Sequence, residues 1–389
     1  MLGRKFSSIC SYPAWDSSFK ASLIIINCEV IIKRLLVSKL KIKKNEGFGI
    51  NIDLDEHQIE KVADVLASLS FKPFSYLNPF LDPPSQAPPE LVADYYFFIV
   101  SIDYRTSTPS QHFEGTIQGK FFHGADLLYA LAIQRLKENS AFFIAENMQH
   151  ITDEEVKNWL SILEDGKRVT IYNPEERAEL LRNCGENLIK LGHQSSFGLI
   201  HQCDGCLIRS DGKGLLQILE NFKAYSDPVS KKSFLWIKFL TGRRLLEVKD
   251  MENLNVPIDN HLARIALRSG MIKIKDVEIK NRLRAESPFT LLEDIELRNM
   301  VRNAFKEIMK HKKLNFRNLD DFFWVLGRTH CVHSKNPLCE NYKHEPACQL
   351  LVELKINCQE KCPLASCCRG FREYAYRELF EPNIRTYFY

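Results

Sequence analysis

The sequence predicts a mostly helical protein, and three observations predict it. Apolar residues recur at helical spacing through most of the 389 residues, whereas alternating strand patterns are scarce. No repeat of fixed period and no low-complexity run interrupts the pattern. A hydrophobic content of 45% and a charged content of 26% are those of an ordinary globular chain, long enough for one large core with extensions.

Taken in order, residues 1–45 are apolar and then basic (Lys39, Lys41, Lys43, Lys44) without a period, and are expected to form a poorly ordered arm. Residues 46–326 are expected to form the helical body and 327–389 a cysteine-rich loop with a tail. Asp53-Leu54-Asp55 precedes a helical pattern through Ile59, Val62, Val65 and Leu66. Residues 78–89 carry five prolines and read as a connector. Residues 90–103 are dense in aromatics and predict a buried helix. Residues 113–122 are short and punctuated by glycine, as in a hairpin or loop. Residues 124–137 predict an amphipathic helix. Thr152 with Glu155 is a capping signal for a helix over 152–163. Pro174 opens another over 174–191. Further helices are expected over 215–222, 231–240, 260–269 and 294–310.

The net charge of +4 permits a nucleotide or nucleic-acid partner without demanding one. The most apolar early stretch, residues 21–37, is broken by Glu29, Lys33 and Arg34 and is too short to span a bilayer. It lacks the flanks of a signal peptide, so a cytoplasmic chain without a membrane partner is expected. Thiols stay reduced in that compartment. Seven of the twelve cysteines nevertheless fall within the last 59 residues: Cys331, Cys339, Cys348, Cys358, Cys362, Cys367 and Cys368. Such a cluster suits a metal site better than a disulfide framework. Cys331, Cys339, Cys362 and Cys368 are the expected ligands, with Cys358 and Cys367 as alternates. Four thiolates suit either an iron–sulfur cubane or zinc, and spacing does not separate them.

Residues 256–270 (VPIDNHLARIALRSG) set Leu262, Ile265 and Ala266 on one helical face and Arg264 and Arg268 on another, with Gly270 as a natural stop. Asp259 stands at the N-cap, and capping is its plainer role. The pattern apolar-Pro-apolar-Asp-x-His, ending in Arg-x-Gly, resembles the segment of the helix–hairpin–helix N-glycosylase superfamily, typified by endonuclease III, that carries the catalytic aspartate. The resemblance implies an all-α glycosylase-like fold and a catalytic role for Asp259. A carboxylate beside the anomeric carbon stabilises the positive charge that builds as an N-glycosidic bond breaks, or activates water.

Upstream, Asp227-Pro228-Val229-Ser230-Lys231-Lys232 stands where bifunctional DNA glycosylases place a lysine after a glycine-rich hairpin; the hairpin glycines are absent here. A solvated helix start is the plainer reading of the lysine pair. A longer, collinear resemblance over residues 50–326 runs to the queuosine salvage family, the queuosine-5′-phosphate N-glycosidases. It is carried by residues 90–103, 195–205, 216–227 and 295–298, and by Leu319–Leu326 (LDDFFWVL). It implies that Lys231 or Lys232 acts near the substrate beside Asp259, and that Phe197, His201, Asp204 and His261 bind substrate. Phe197 reads equally as core, His201 as an ordinary histidine, and Asp204 as a turn residue beside Gly205. The tail resembles the endonuclease III loop, which binds a 4Fe-4S cluster through C-x6-C-x2-C-x5-C. Here 22 residues separate Cys339 from Cys362 where that family has two. Three functions are therefore expected: hydrolysis of a base–ribose bond in a modified nucleotide, excision of damaged bases from DNA, or non-catalytic nucleic-acid binding or redox sensing by an iron–sulfur protein.

Overall fold

The computed structural model describes residues 50–108, 110–312, 314–339, 354–356 and 361–389. The expected arm and Cys358 lie outside them. Residues 51–389 pack as one compact unit, about half helical with short strands. Among the described residues no helix is long and apolar enough to cross a membrane.

Strand β1 (Ile52–Leu54) leads into α1 (Glu56–Ser68), capped by the Asp55 carboxylate on Gln58 N. The connector delivers Pro89 as the first residue of α2 (Pro89–Ser101), where the missing N–H costs nothing. Every residue of α2 from Val92 to Ser101 is buried, so this helix runs through the core. Tyr96 stacks on Phe239 at 4.3 Å and Phe97 on Tyr225 at 5.0 Å. A hairpin, β2 (Glu114–Ile117) with β3 (Lys120–His123), turns at Gln118-Gly119 with both φ positive. Then come α3 (Ala125–Glu138), α4 (Ala145–Met148) and α5 (Asp153–Trp159).

The capping box of Thr152 and Glu155 starts α5 as expected, but the helix ends at Trp159, not at 163. Residues 161–164 instead form β4 (Ser161–Glu164), paired with β5 (Lys167–Thr170) through an Asp165-Gly166 turn. That Asp-Gly pair adopts positive φ at both positions, the geometry that closes a two-residue hairpin. The α6 helix (Pro174–Lys190) follows its sequence pattern. Residues 197–203, for which no helix was expected, form α7 (Phe197–Cys203). Asp94 explains it: from inside α2 its carboxylate accepts from Ser196 N and Ser196 Oγ, both at 2.6 Å, and fixes the start of α7.

The remaining elements are α8 (Leu215–Leu219), α9 (Lys231–Gly242), α10 (Asn260–Ser269), β6 (Ile272–Ile274), α11 (Val277–Arg284), α12 (Leu291–Lys312), α13 (Phe316–Thr329), α14 (Arg369–Arg372) and α15 (Tyr374–Arg377). The α8 helix stops at Leu219, short of 222, and a 3-10 turn at Lys223–Tyr225 follows. Strand β6 returns antiparallel to β1, pairing Ile52 with Ile274, and so holds the far end of α10 against the start of the described fold.

Candidate active site and four-cysteine cavity

Buried Val256, Pro257 and Ile258 anchor the chain before α10. Asp259 then caps the helix, its Oδ1 accepting from Leu262 N at 2.9 Å. The other oxygen takes no hydrogen bond from the described residues, yet it is not sealed from solvent, and the residue is half-buried. One oxygen therefore holds the carboxylate in place while the second stays open. Beside it, His261 Nδ1 lies 2.9 Å from Arg264 Nη2, a permanent donor. Burial lowers the His261 pKa to about 4, against the pull of Asp259 and with the help of Arg264. The imidazole is neutral, with Nδ1 accepting and the proton on Nε2.

The two arginines explain the polar face of α10. Arg264 Nε donates to Cys331 O at 2.7 Å, Nη1 to Glu381 Oε1 at 2.7 Å and Nη2 to Gly327 O at 3.0 Å. Arg268 donates to Leu379 O, Val332 O and Ser334 O, each at 2.8 Å, and its Nη1 lies 3.7 Å from Cys331 Sγ. Both guanidinium groups are buried. They bind the chain on either side of the first cysteine directly to the helix that carries Asp259.

Against the same helix, Cys331, Cys339, Cys362 and Cys368 line one small cavity with Ile265, Arg268 and Leu364. All four are free thiols. Cys362 N donates to Cys339 O at 3.4 Å, so the ends of the 22 intervening residues meet at one place. Burial, then the neighbouring thiols, push Cys368 up to about 12 and Cys362 well above the usual thiol range. Cys367 turns away: its thiol is 3.4 Å from Leu364 O and it is not among the residues lining the cavity. Among the described residues no group of three or more His, Cys, Asp or Glu side chains is set to hold a metal ion. Four thiols lining one cavity are donors of the type that either an iron–sulfur cluster or zinc takes.

The lysine pair goes elsewhere. Lys231 Nζ donates to Asp103 O at 2.9 Å and Lys232 Nζ to Ser101 O at 2.5 Å, at the carbonyl end of α2. Arg177 adds donations to Tyr104 O and Arg105 O. Lys232 thus serves the last carbonyl of α2, and Lys231 and Arg177 serve carbonyls of the turn that follows it. Burial, together with Lys231 and Arg177, lowers the Lys232 pKa well below the usual lysine range. Neither ammonium reaches Asp259. Asp227 accepts from the backbone N–H groups of both lysines and so holds the start of α9.

Phe197, His201 and Asp204 sit on α7 and its C-cap. The Phe197 ring meets His201 edge-on at 4.6 Å, and the exposed Asp204 pairs with Lys249 at 2.7 Å.

Two groups near Asp259 were not singled out by sequence. Lys238 Nζ, buried between α9 and α13, pairs with Asp320 and Asp321 at 2.5 and 2.6 Å. Burial, and then the nearby charges of Asp259 and Asp321, raise Asp320 to about 6 against the pull of Lys238. Arg298 Nη2 donates to Asn260 Oδ1 at 2.7 Å while its Nε binds Asp294 Oδ1 at 2.8 Å, and both partners of that pair are fully buried. The spacing of Asp294 and Arg298, four residues apart on one helix, was a visible signal; that neither reaches water was not.

The sequence matches no protein-family model and no curated protein, so the functional reading rests on the geometry above.

Proposed function

We propose that the protein is an N-glycosylase that hydrolyses the base–ribose bond of a modified nucleotide, with Asp259 as the catalytic carboxylate and a structural 4Fe-4S cluster held by Cys331, Cys339, Cys362 and Cys368. One observation carries the reading: Asp259 is held through Oδ1 and open at Oδ2, on a helix whose other face is tied to the four-thiol cavity. In the reaction the C1′–N bond breaks and its electron pair leaves with the base. Water supplies hydroxide to C1′, and its proton goes to the base. The free oxygen of Asp259 faces the positive charge that develops on the sugar. A cluster bound to the thiols would supply a cross-link between the loop and α10.

Asparagine caps a helix as well as aspartate does, so Asp259→Asn removes the charge and leaves the cap. The test incubates the protein with a queuosine-type nucleotide and with lesion-bearing duplexes. Base is expected from the nucleotide, and release is expected to fall by at least ~100-fold in Asp259→Asn. No release from either substrate by protein with a loaded cluster overturns the enzymatic reading. Anaerobically purified protein is expected to be brown with broad visible absorption. Colourless protein carrying one zinc overturns the cluster.

A second reading, a non-catalytic iron–sulfur scaffold, is favoured by the two lysines, which are buried against α2 and not beside Asp259. The Asp259→Asn comparison separates the two. Excision from duplex DNA is the weaker alternative, because Val229, at the turn where a hairpin would meet a phosphate backbone, is buried under Phe388 and Tyr389.

A further inference from the structure

Lys238 faces two carboxyl groups, Asp320 and Asp321, where all three residues are buried. The two carboxyl groups are not equivalent. Asp321 accepts from Phe74 N at 3.0 Å and from Tyr76 Oη at 3.1 Å, and it faces Lys238 Nζ at 2.6 Å. Asp320 accepts from Lys238 alone, at 2.5 Å through Oδ2. Its Oδ1 takes no hydrogen bond from the described residues, yet it is not sealed from solvent. One ammonium offsets one carboxylate, and a second charge left over in the interior is costly. Asp321, with three donors, is the better home for the charge, and Asp320 is the carboxyl that takes up a proton. At about 6, Asp320 can both give and take that proton near neutral pH.

The pair stands beside Asp259. Arg264 Nη2 donates to Gly327 O and Arg268 Nη2 to Ser334 O, so α10 and the chain from α13 into the cysteine loop run in the same direction. His261 is packed against Gly327. Asp320 comes seven residues before Gly327, on the same face of α13 and two turns earlier, which is the side where α10 begins. Among the described residues, the titratable groups that act on Asp320 are Lys238 from α9, Tyr76 from the segment after α1, Asp259 at the start of α10, and its own neighbour Asp321.

We propose that Asp320 is a second catalytic carboxyl, the acid whose Oδ1 proton goes to the departing base while Asp259 faces the sugar. This inference rests on the glycosylase reading of Asp259 and adds the proton donor which that reading lacks. As the C1′–N bond breaks, its electron pair stays with the base and takes the Asp320 proton. Water then bonds to C1′ and gives its own proton to Asp320, which is thereby restored. Lys238 holds Oδ2 throughout and offsets the carboxylate charge between the two transfers. Two carboxyl groups in unlike surroundings thus divide the work, one ionised and one protonated.

The test follows release of base from queuosine 5′-phosphate by the full chain between about pH 5 and about pH 8. In the unaltered chain kcat is expected to fall as pH rises through about 6, because the protonated form of Asp320 is the active one. Asp320→Asn leaves Lys238 paired one to one with Asp321. It is expected to lower kcat by ~100-fold with little change in KM, and to remove the fall above about pH 6. A residue that only supports the fold would leave the shape of the profile as it was. Asp320→Asn with the kcat of the unaltered chain, or with the same fall, overturns the proposal. If that variant does not fold, the unaltered chain decides: a proton in flight lowers kcat in heavy water, and a level profile or equal rates in the two solvents overturns the acid. The two readings fail separately. Release that survives Asp320→Asn but not Asp259→Asn retains the glycosylase and removes the acid, whereas no release by the unaltered chain at any pH removes both.

Discussion

Replacing Arg268 by methionine keeps the aliphatic stem and removes every donor of the guanidinium. In the native fold that group serves Leu379 O, Val332 O and Ser334 O, each at 2.8 Å, while 2% exposed. A buried carbonyl left without its donor costs ~1–3 kcal/mol, so three set an upper bound of roughly 9 kcal/mol. The full sum is not expected. Val332 and Ser334 are only half-buried, and their carbonyls can recover water once the loop shifts, whereas Leu379 is buried and cannot. The net loss should therefore be about 2–4 kcal/mol, a large share of an ordinary domain's stability. Urea unfolding followed by tryptophan fluorescence should show a lower midpoint with an unchanged slope. Arg268→Lys should recover little, because an ammonium lacks the planar fork that reaches three carbonyls at once. A loss below ~1 kcal/mol would refute the claim that Arg268 ties the cysteine loop to the helix of Asp259.

Two further outcomes are expected. Burial pushes Asp94 up to about 7 despite hydrogen bonds from Ser196 and Ser195. Its folded value therefore lies above its unfolded one, and the native state loses stability as pH rises from about 4 to about 7, at ~1.4 kcal/mol per unit. Asp94→Asn keeps the accepting oxygen and has no charge to bury, so its stability relative to the unaltered chain should rise over that window and flatten above it; equal offsets at pH 5 and pH 8 would contradict this. A methyl group at Gly327 would lie 2.5 Å from His261 Cβ and 2.9 Å from its Cγ, so Gly327→Ala should push α13 off α10 and cost ~1–3 kcal/mol in thermal unfolding; an unchanged midpoint would disprove the close approach.

Local chemistry made much of the fold legible. Asp259 and Gly270 bound α10 at the residues where a cap and a stop belong, and Thr152 with Glu155 begins α5. The errors arose where a tertiary partner or a turn outweighed periodicity. The apolar pattern after Trp159 fits helix and strand alike over so short a run, and Asp165-Gly166 decided for a hairpin. The start of α7 is held locally by Ser195 Oγ, which accepts from Phe197 N at 3.1 Å, but also by Asp94, about a hundred positions earlier, which no local pattern reveals.

The site was legible in the residues that act on their own neighbours and hidden in those that act across the fold. Four cysteines chosen by spacing line one cavity, and Cys362 N meets Cys339 O across the 22 residues between them. Lys231 and Lys232 show the opposite case. A lysine after a turn looks the same in sequence whether it faces a substrate or the carbonyl end of a helix, and here Ser101 O and Asp103 O claim both. If catalysis occurs, the positive charge nearest Asp259 must come from elsewhere. Arg298 is the candidate the geometry offers: it holds Asn260, it is fixed by Asp294, and one of its nitrogens remains unpaired. A guanidinium cannot form a Schiff base, so a site built on Arg298 and Asp259 hydrolyses its substrate and has no lyase step. Trapping with borohydride during turnover should therefore leave no covalent adduct, and an adduct at Lys231 or Lys232 would return the lysines to the mechanism.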